Sequence, residues 1–301
     1  MSGDGPQLTT LESPEEVRRG FDRQGYLADQ GTSTAVYLAL QLGLPLLLEG
    51  EPGVGKTAAA KVLAATLGVP LIRLQCYEGL SASEALFDWN YQRQLLAIRL
   101  AESQHQPLQE ADLFSEEFLV ERPILRCVRY DGPLPPVLLI DEVDRADDEF
   151  EALLLEFLGE GSVTVPELGT FTAATPPVAV LTSNRTRELH DALRRRCLYH
   201  WLDFPAPGRA VQILRRSVPS ANQHLIESAA QFVGHIRSLD VDKPPGIAEA
   251  INWVAALAVL RVSELMRDDV VASVGALAKT PDDRDAVLQA AASYGFGAGA
   301  R

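Results

Sequence analysis

The chain has little of what staples, charges or anchors a protein from outside its own core. It holds three cysteines, Cys76, Cys127 and Cys197, far apart and without a C-x-x-C spacing. That excludes a disulfide framework or a cysteine-based zinc site as the basis of the fold, and makes reduced thiols in a cytoplasmic setting the expectation. Basic residues are in deficit: 27 Lys and Arg stand against 41 Asp and Glu, a formal net charge of −14. This balance argues against broad attraction to nucleic acid or anionic lipid, although a local basic patch is compatible with it. Long hydrophobic runs are missing as well. The longest apolar helical stretch, around Trp253–Val259, is far too short to cross a bilayer. The acidic start, Met1–Glu16, has neither the basic residues nor the apolar centre of a secretory signal.

What is present begins with Gly50-Glu51-Pro52-Gly53-Val54-Gly55-Lys56-Thr57, a complete G-x-x-x-x-G-K-[ST] phosphate-binding loop one residue after the apolar run Leu44–Leu48. The glycines let backbone N–H groups turn inward around phosphates. Lys56 can neutralise the β/γ-phosphates, and the Thr57 hydroxyl can ligate Mg²⁺. The next segment, Ala58–Leu67, reads as a helix whose N-terminal dipole faces the same anion. Chance would produce four such fixed positions in roughly one chain of this length in a hundred, and the strand before and helix after make a bland glycine turn harder to defend.

Around the loop, β-like apolar runs alternate with helical patterns: Pro45–Glu49, Leu71–Gln75, Val137–Asp141, Val178–Ser183 and Leu198–Phe204. Continuous apolar strands separated by helices predict a parallel sheet covered on both faces. Residues 1–12 are rich in Gly, Ser, Pro and polar side chains, with structure expected from about Pro14. Asp203–Gly208 punctuates the pattern, and helical spacing alone follows it: Leu225, Ile226, Ala229, Phe232, Val233 and Ile236, then Ile247, Ile251, Val254, Ala258 and Val262. The expected organisation is a tail over 1–18, an α/β domain over 19–205 and a small all-α domain over 206–301, frayed at Gly295–Arg301.

Two stretches exceed what the sheet requires. About sixty residues separate Gln75 from Val137, where a β-α-β crossover needs roughly thirty, so something is inserted there. Ser162–Thr172 reads as a hairpin, either an ordinary surface one or one with a task.

Val137-Leu138-Leu139-Ile140-Asp141-Glu142 ends in two carboxylates at the C-terminal sheet edge, where open α/β sheets bind ligands. Asp141 suits Mg²⁺ held through its water shell, and Glu142 suits orienting or deprotonating an attacking water. Asn184, at the end of the run Val178–Ser183, can contact a γ-phosphate or the water, or simply favour the turn. Arg194, Arg195 and Arg196 precede the last strand. They read either as helix-end charges or as the source of one guanidinium for a neighbour's γ-phosphate.

This constellation resembles the AAA+ ATPases and, within them, the MoxR family, over nearly the whole chain from about Gly20. The Gly50–Thr57 loop, Asp141 to Ala146, Asn184 and the Arg196-Cys197 pair are similar to that superfamily's Walker A, Walker B, sensor 1 and arginine-finger segments. The insert after Gln75 and the Ser162–Thr172 hairpin are similar to its helix-2 insert and pre-sensor-1 hairpin. Arg73 to Gly79, Trp89-Asn90-Tyr91 and Thr182 to Leu193 resemble the CoxD-type branch.

The resemblance implies a Mg²⁺-dependent ATPase that assembles into a homo-oligomeric ring, a hexamer. It further implies a remodelling role in maturation or cofactor insertion of a client metalloenzyme, a molybdenum hydroxylase of the carbon monoxide dehydrogenase kind, beside a partner with a von Willebrand factor A-like domain. A nucleotide-dependent binding scaffold with incidental hydrolysis is the alternative. One departure stands out. Many AAA+ proteins carry a sensor 2 arginine at the start of a lid helix, whereas Lys243-Pro244-Pro245-Gly246-Ile247-Ala248-Glu249 has none. Lys243 is either its substitute or a solvated charge.

Overall fold

A computed structural model describes residues 11–105, 107–239 and 241–296. Among them nine strands follow in chain order: β1 (Leu46–Gly50), β2 (Leu71–Gln75), β3 (Phe87–Trp89), β4 (Leu119–Glu121), β5 (Val137–Asp141), β6 (Ser162–Val165), β7 (Gly169–Thr172), β8 (Val178–Ser183) and β9 (Leu198–Leu202). Five of these form one sheet in the order β2-β5-β8-β1-β9. β2 with β5, β5 with β8 and β8 with β1 pair parallel, in registers that set Gln75 beside Asp141 and Glu49 beside Ser183. The strands therefore deliver their polar last residues to one edge.

Every residue of β1 and β5 is buried, which is why their sequences run apolar without alternation. Leu138, Leu139 and Ile140 are wholly shielded, and each such side chain contributes ~1.5–3 kcal/mol by leaving water.

Contacts divide the chain into two compact units. The first takes Ala28–Glu49 and Thr57–Trp201 together with the N-terminal helix. The second takes Gly25–Leu27, Gly50–Lys56 and the chain from Leu202 onward.

In the first unit the long stretch after β2 carries short helices, the helix Tyr91–Gln104 and an antiparallel pair, β3 with β4. The helix Tyr91–Gln104 starts where the Asn90 side chain accepts from the Arg93 N–H. The helix Asp148–Glu160 follows the same logic. Asp147 caps it by accepting from the Phe150 N–H, three acids sit in its first turn, and Gly161 ends it in the left-handed conformation. Its Phe150, Leu154 and Phe157 enter the core with Ile140, Leu181 and Leu193. β6 and β7 form the expected hairpin. Val163 and Val165 are buried, and Thr164 and Thr170 meet by their hydroxyls on the other face (2.9 Å).

The expected tail over 1–18 differs from what is seen, because Pro14–Arg23 is a helix. Ser13 caps it by accepting from the Glu16 N–H, Pro14 sits at its first position and two glutamates occupy its first turn. The residues expected to be loose before position 11, and those after 296, lie outside the described residues.

In the second unit the helices Pro207–Ser217, Gln223–Arg237, Ile247–Val259, Arg267–Ser273 and Pro281–Ser293 enclose Leu214, Phe232, Trp253, Leu257, Val270 and Val287. Trp253 keeps its indole N–H satisfied inside this core through Ser273 Oγ (2.8 Å). Val262, expected on the same helix as Ile247, lies beyond its end: Arg261 turns left-handed (φ 59°) and the Val262 N–H closes onto the Leu257 carbonyl (3.0 Å). Among the described residues no helix is long and apolar enough to cross a membrane.

Candidate functional site

The loop 50–56 bends through glycines that no other residue could replace cheaply, Gly53 at φ 76° and Gly55 at φ 104°. Val54 is buried, and so is Lys56, only 7% exposed. The Lys56 ammonium turns back along the loop and donates to the carbonyls of Gly50 (2.6 Å) and Glu51 (2.9 Å). These neutral acceptors are weaker partners than phosphate oxygens would be. The helix after the loop begins at Lys56, two residues earlier than the expected start at Ala58. Lys56, Thr57 and Ala58 therefore all stand in its first turn, where unpaired N–H groups gather.

In the first unit Asp141 sits at the end of β5, 2% exposed. Its Oδ1 accepts from the hydroxyls of Thr57 (2.9 Å) and Thr182 (2.6 Å), and its Oδ2 accepts from Arg73 Nε (3.0 Å) and Nη2 (2.6 Å). Thr182 Oγ1 also accepts from the Glu142 N–H (2.9 Å), so one hydroxyl ties the two consecutive acids to β8. Glu142 is left-handed (φ 57°), a conformation that costs a non-glycine residue energy and collects at working sites. Its carboxylate is within 3.4 Å of Arg145 Nε.

Two buried acids shape the turn after β8. Asp144 accepts from the N–H groups of Asn184 (3.2 Å) and Thr186 (2.8 Å) and from the Thr186 hydroxyl (2.7 Å). Glu151 pairs with Arg187 and accepts from the His190 N–H (2.9 Å). Arg187 Nε also donates to the Ala146 carbonyl (2.9 Å). The Thr182–Leu193 motif thus has a structural task, which is to clamp the Asn184 turn against the segment that follows Glu142.

The three arginines differ. Arg194 turns to the buried Glu49 of its own chain (3.8 Å), which Arg185 also approaches (3.9 Å). Arg196 is exposed and donates through Nη1 to the Leu155 carbonyl. Arg195 is exposed and, among the described residues, has no hydrogen-bond, ion-pair or ring partner.

The sequence motifs include Asp144, Arg73 and Thr182 only as members of family-like segments, without a role of their own, and Glu49 belongs to none of them. Lys243 is exposed. Burial pushes the thiols of Cys76, Cys127 and Cys197 up to about 12, with the neighbouring Asp141 adding to the effect at Cys76.

Residues 45–197 match the AAA domain (dynein-related subfamily), and the chain belongs to that family. It is of the MoxR type, as the motif residues indicated. Protein NorQ of Paracoccus denitrificans (strain Pd 1222) is 27% identical over 195 residues, which cover 62% of this chain and 63% of NorQ. The chain thus matches less than two thirds of that relative's length. Two mutant forms of RuvB from Thermotoga maritima are similar among solved structures. One is 19% identical over 82% of this chain and 67% of its own, with a TM-score of 0.49. The other is 17% identical over 90% and 72%, with a TM-score of 0.48. Membership of the AAA+ proteins implies nucleotide binding and hydrolysis.

Proposed function

We propose that this chain is a Mg²⁺-dependent ATPase whose turnover drives a homo-oligomeric ring, a hexamer, that remodels a client metalloenzyme. The observation that carries the chemistry is the bond from Thr57 Oγ1 to Asp141 Oδ1 (2.9 Å). It joins the first helical turn after a phosphate loop to an acid at the sheet edge. A hydroxyl and a carboxylate are the hard oxygen donors that Mg²⁺ takes, directly or through water. The loop fits a phosphate chain on its own terms, with Gly50, Glu51, Pro52, Gly53, Val54 and Gly55 supplying backbone and Lys56 a shielded cation.

ATP would supply the transferable phosphoryl group, and Mg²⁺ bound by Thr57 and Asp141 would supply charge neutralisation. Lys56 exchanges the Gly50 and Glu51 carbonyls for phosphate oxygens. Glu142, the next residue after Asp141, accepts the proton of the attacking water on its carboxylate, and Asn184 orients that water. Arg196 acts on the site of a neighbouring subunit, with Arg195 as the other exposed candidate.

Resemblance to the CoxD-type branch supports a molybdenum hydroxylase, carbon monoxide dehydrogenase-like, as client, with a von Willebrand factor A-domain protein as working partner and the cytoplasm as the place. Nucleic acid is not favoured at a net charge of −14. The insert after β2 and the β6–β7 hairpin are the elements for client contact.

Lys56→Ala and Glu142→Gln test the chemistry. The first is expected to lose tight ATP binding, and the second to keep binding and lose hydrolysis. Equal loss of affinity in both variants would contradict the division of labour. Turnover that survives in Glu142→Gln would leave the scaffold reading standing.

A further inference from the structure

The segment without a sensor 2 arginine does reach the phosphate loop. Both lie in the second unit. The N–H groups of Ile247 and Ala248, the first two residues of their helix, are directed at the Gly53 carbonyl (3.0 and 3.4 Å). A Cβ added to Gly246 would stand 2.8 Å from Gly53 Cα, from the Pro52 carbonyl oxygen and from Glu249 Oε2, so a glycine there permits the close approach. Glu249 Oε2 lies 2.7 Å from where a Cβ on Gly53 would sit. That oxygen is shielded from solvent and accepts no hydrogen bond.

Arg237, the last residue of the preceding helix, is its counterpart. Its Nε donates to the Pro245 carbonyl (2.8 Å), its guanidinium stacks over Phe204 (4.3 Å), and its Nη2 is shielded and unpaired. Burial lowers Arg237 to about 10, against the opposing pull of the Glu249 charge. A buried acceptor and a buried donor, each unpaired and each beside the Pro245-Gly246 segment, make a costly arrangement that pairing them would relieve.

We propose that Glu249 and Arg237 are positioning residues that couple the C-terminal helices to the charge in the phosphate loop: Glu249 lies against the loop when no phosphate chain is there and pairs with Arg237 when one is. The proposal rests on the nucleotide reading of the loop. A carboxylate beside Gly53 tolerates a loop whose charges are the buried Lys56 ammonium and the exposed Glu51 carboxylate, whereas a triphosphate adds several negative charges at the same backbone and repels it. Arg237 offers the displaced carboxylate a cation whose Nη2 is already unpaired. Because Ile247 and Ala248 grip Gly53 from the same helical turn, displacement of Glu249 alters how helix and loop are held together.

The test is fluorescent-nucleotide titration and turnover on the full chain, at low and physiological salt. Glu249→Gln should tighten ATP binding by about three- to tenfold, the gap closing as salt rises, because a screened repulsion has been removed. Arg237→Gln should weaken ATP binding, and Arg237→Lys should stay near wild type. The double Gln variant should fall close to Glu249→Gln, since Arg237 then has no carboxylate to receive. An unchanged or weakened affinity in Glu249→Gln, or strictly additive effects in the double variant, would overturn the proposal. If Arg237→Gln does not fold, as read by thermal unfolding, Glu249→Gln and its salt dependence decide alone. Wild-type protein that binds ATP no better than Lys56→Ala would instead refute the nucleotide reading beneath it.

Discussion

Arg73 holds Asp141 by two hydrogen bonds to a single oxygen, Oδ2, while both threonine hydroxyls crowd Oδ1. A residue assigned to hold Mg²⁺ is thus already paired to a cation of its own chain. The Asp141 side chain is 3% exposed and that of Arg73 46%, so the acid depends on the pair more than the arginine does.

Arg73→Ala is expected to act in two opposite ways. It leaves a buried carboxylate short of its partner, costing ~1–3 kcal/mol of stability, and it removes a cation that competes with the metal. A Mg²⁺ titration of turnover should show a midpoint several-fold lower than wild type. Thermal unfolding should show a lower Tm without metal and a larger recovery on adding Mg²⁺. An unmoved Mg²⁺ midpoint would mean that Arg73 only packs.

Arg196 can be tested by mixing. Arg196→Ala should bind ATP near-normally yet hydrolyse it on the order of 10³-fold more slowly, the scale known for arginines of this kind. Combined with Lys56→Ala, it should regain part of the activity, because some interfaces then join an intact loop to an intact arginine. Absence of recovery in mixtures shown to co-assemble would leave Arg196 as a helix-end charge. The parallel test on Arg195→Ala decides between the two exposed arginines.

The cysteines give a measurement independent of nucleotide. Their thiols, pushed up to about 12 by burial, hold their protons across the neutral range. Alkylation at pH 8 should be slow at all three positions in the folded chain and rapid after denaturation. Fast labelling of Cys197 in the native protein would show that the end of its arginine-bearing helix opens.

Legibility followed the range of the interactions. The three inner strands of the main sheet, β5, β8 and β1, could be read because burial on both faces leaves an apolar run, as in Val137–Ile140, while the edge strands β2 and β9 are only half-buried and show shorter apolar stretches. Lys56, Thr57, Asp141 and Glu142 stood out as candidates because a glycine-framed loop and two consecutive acids at the end of an apolar run are local patterns. β3 and β4 could not: each has three residues, too few for a periodic pattern to show. Arg73 with Asp141, Asp144 with Thr186 and Glu49 with Arg194 join residues far apart in the chain. No local pattern announces such pairs. The N-terminal helix was the opposite case, since Ser13-Pro14-Glu15-Glu16 is a helix start written in the sequence.

Glu142 keeps a left-handed backbone that glycine or asparagine would adopt more readily, a difference of about 1 kcal/mol. On the water-activating role proposed for Glu142, heat resistance and turnover pull this position in opposite directions. A population of variants screened only for surviving high temperature would gather Gly or Asn at 142, well folded but without the carboxylate proposed to activate water, so an effort to toughen this protein while keeping that proposed chemistry has to hold that one residue fixed.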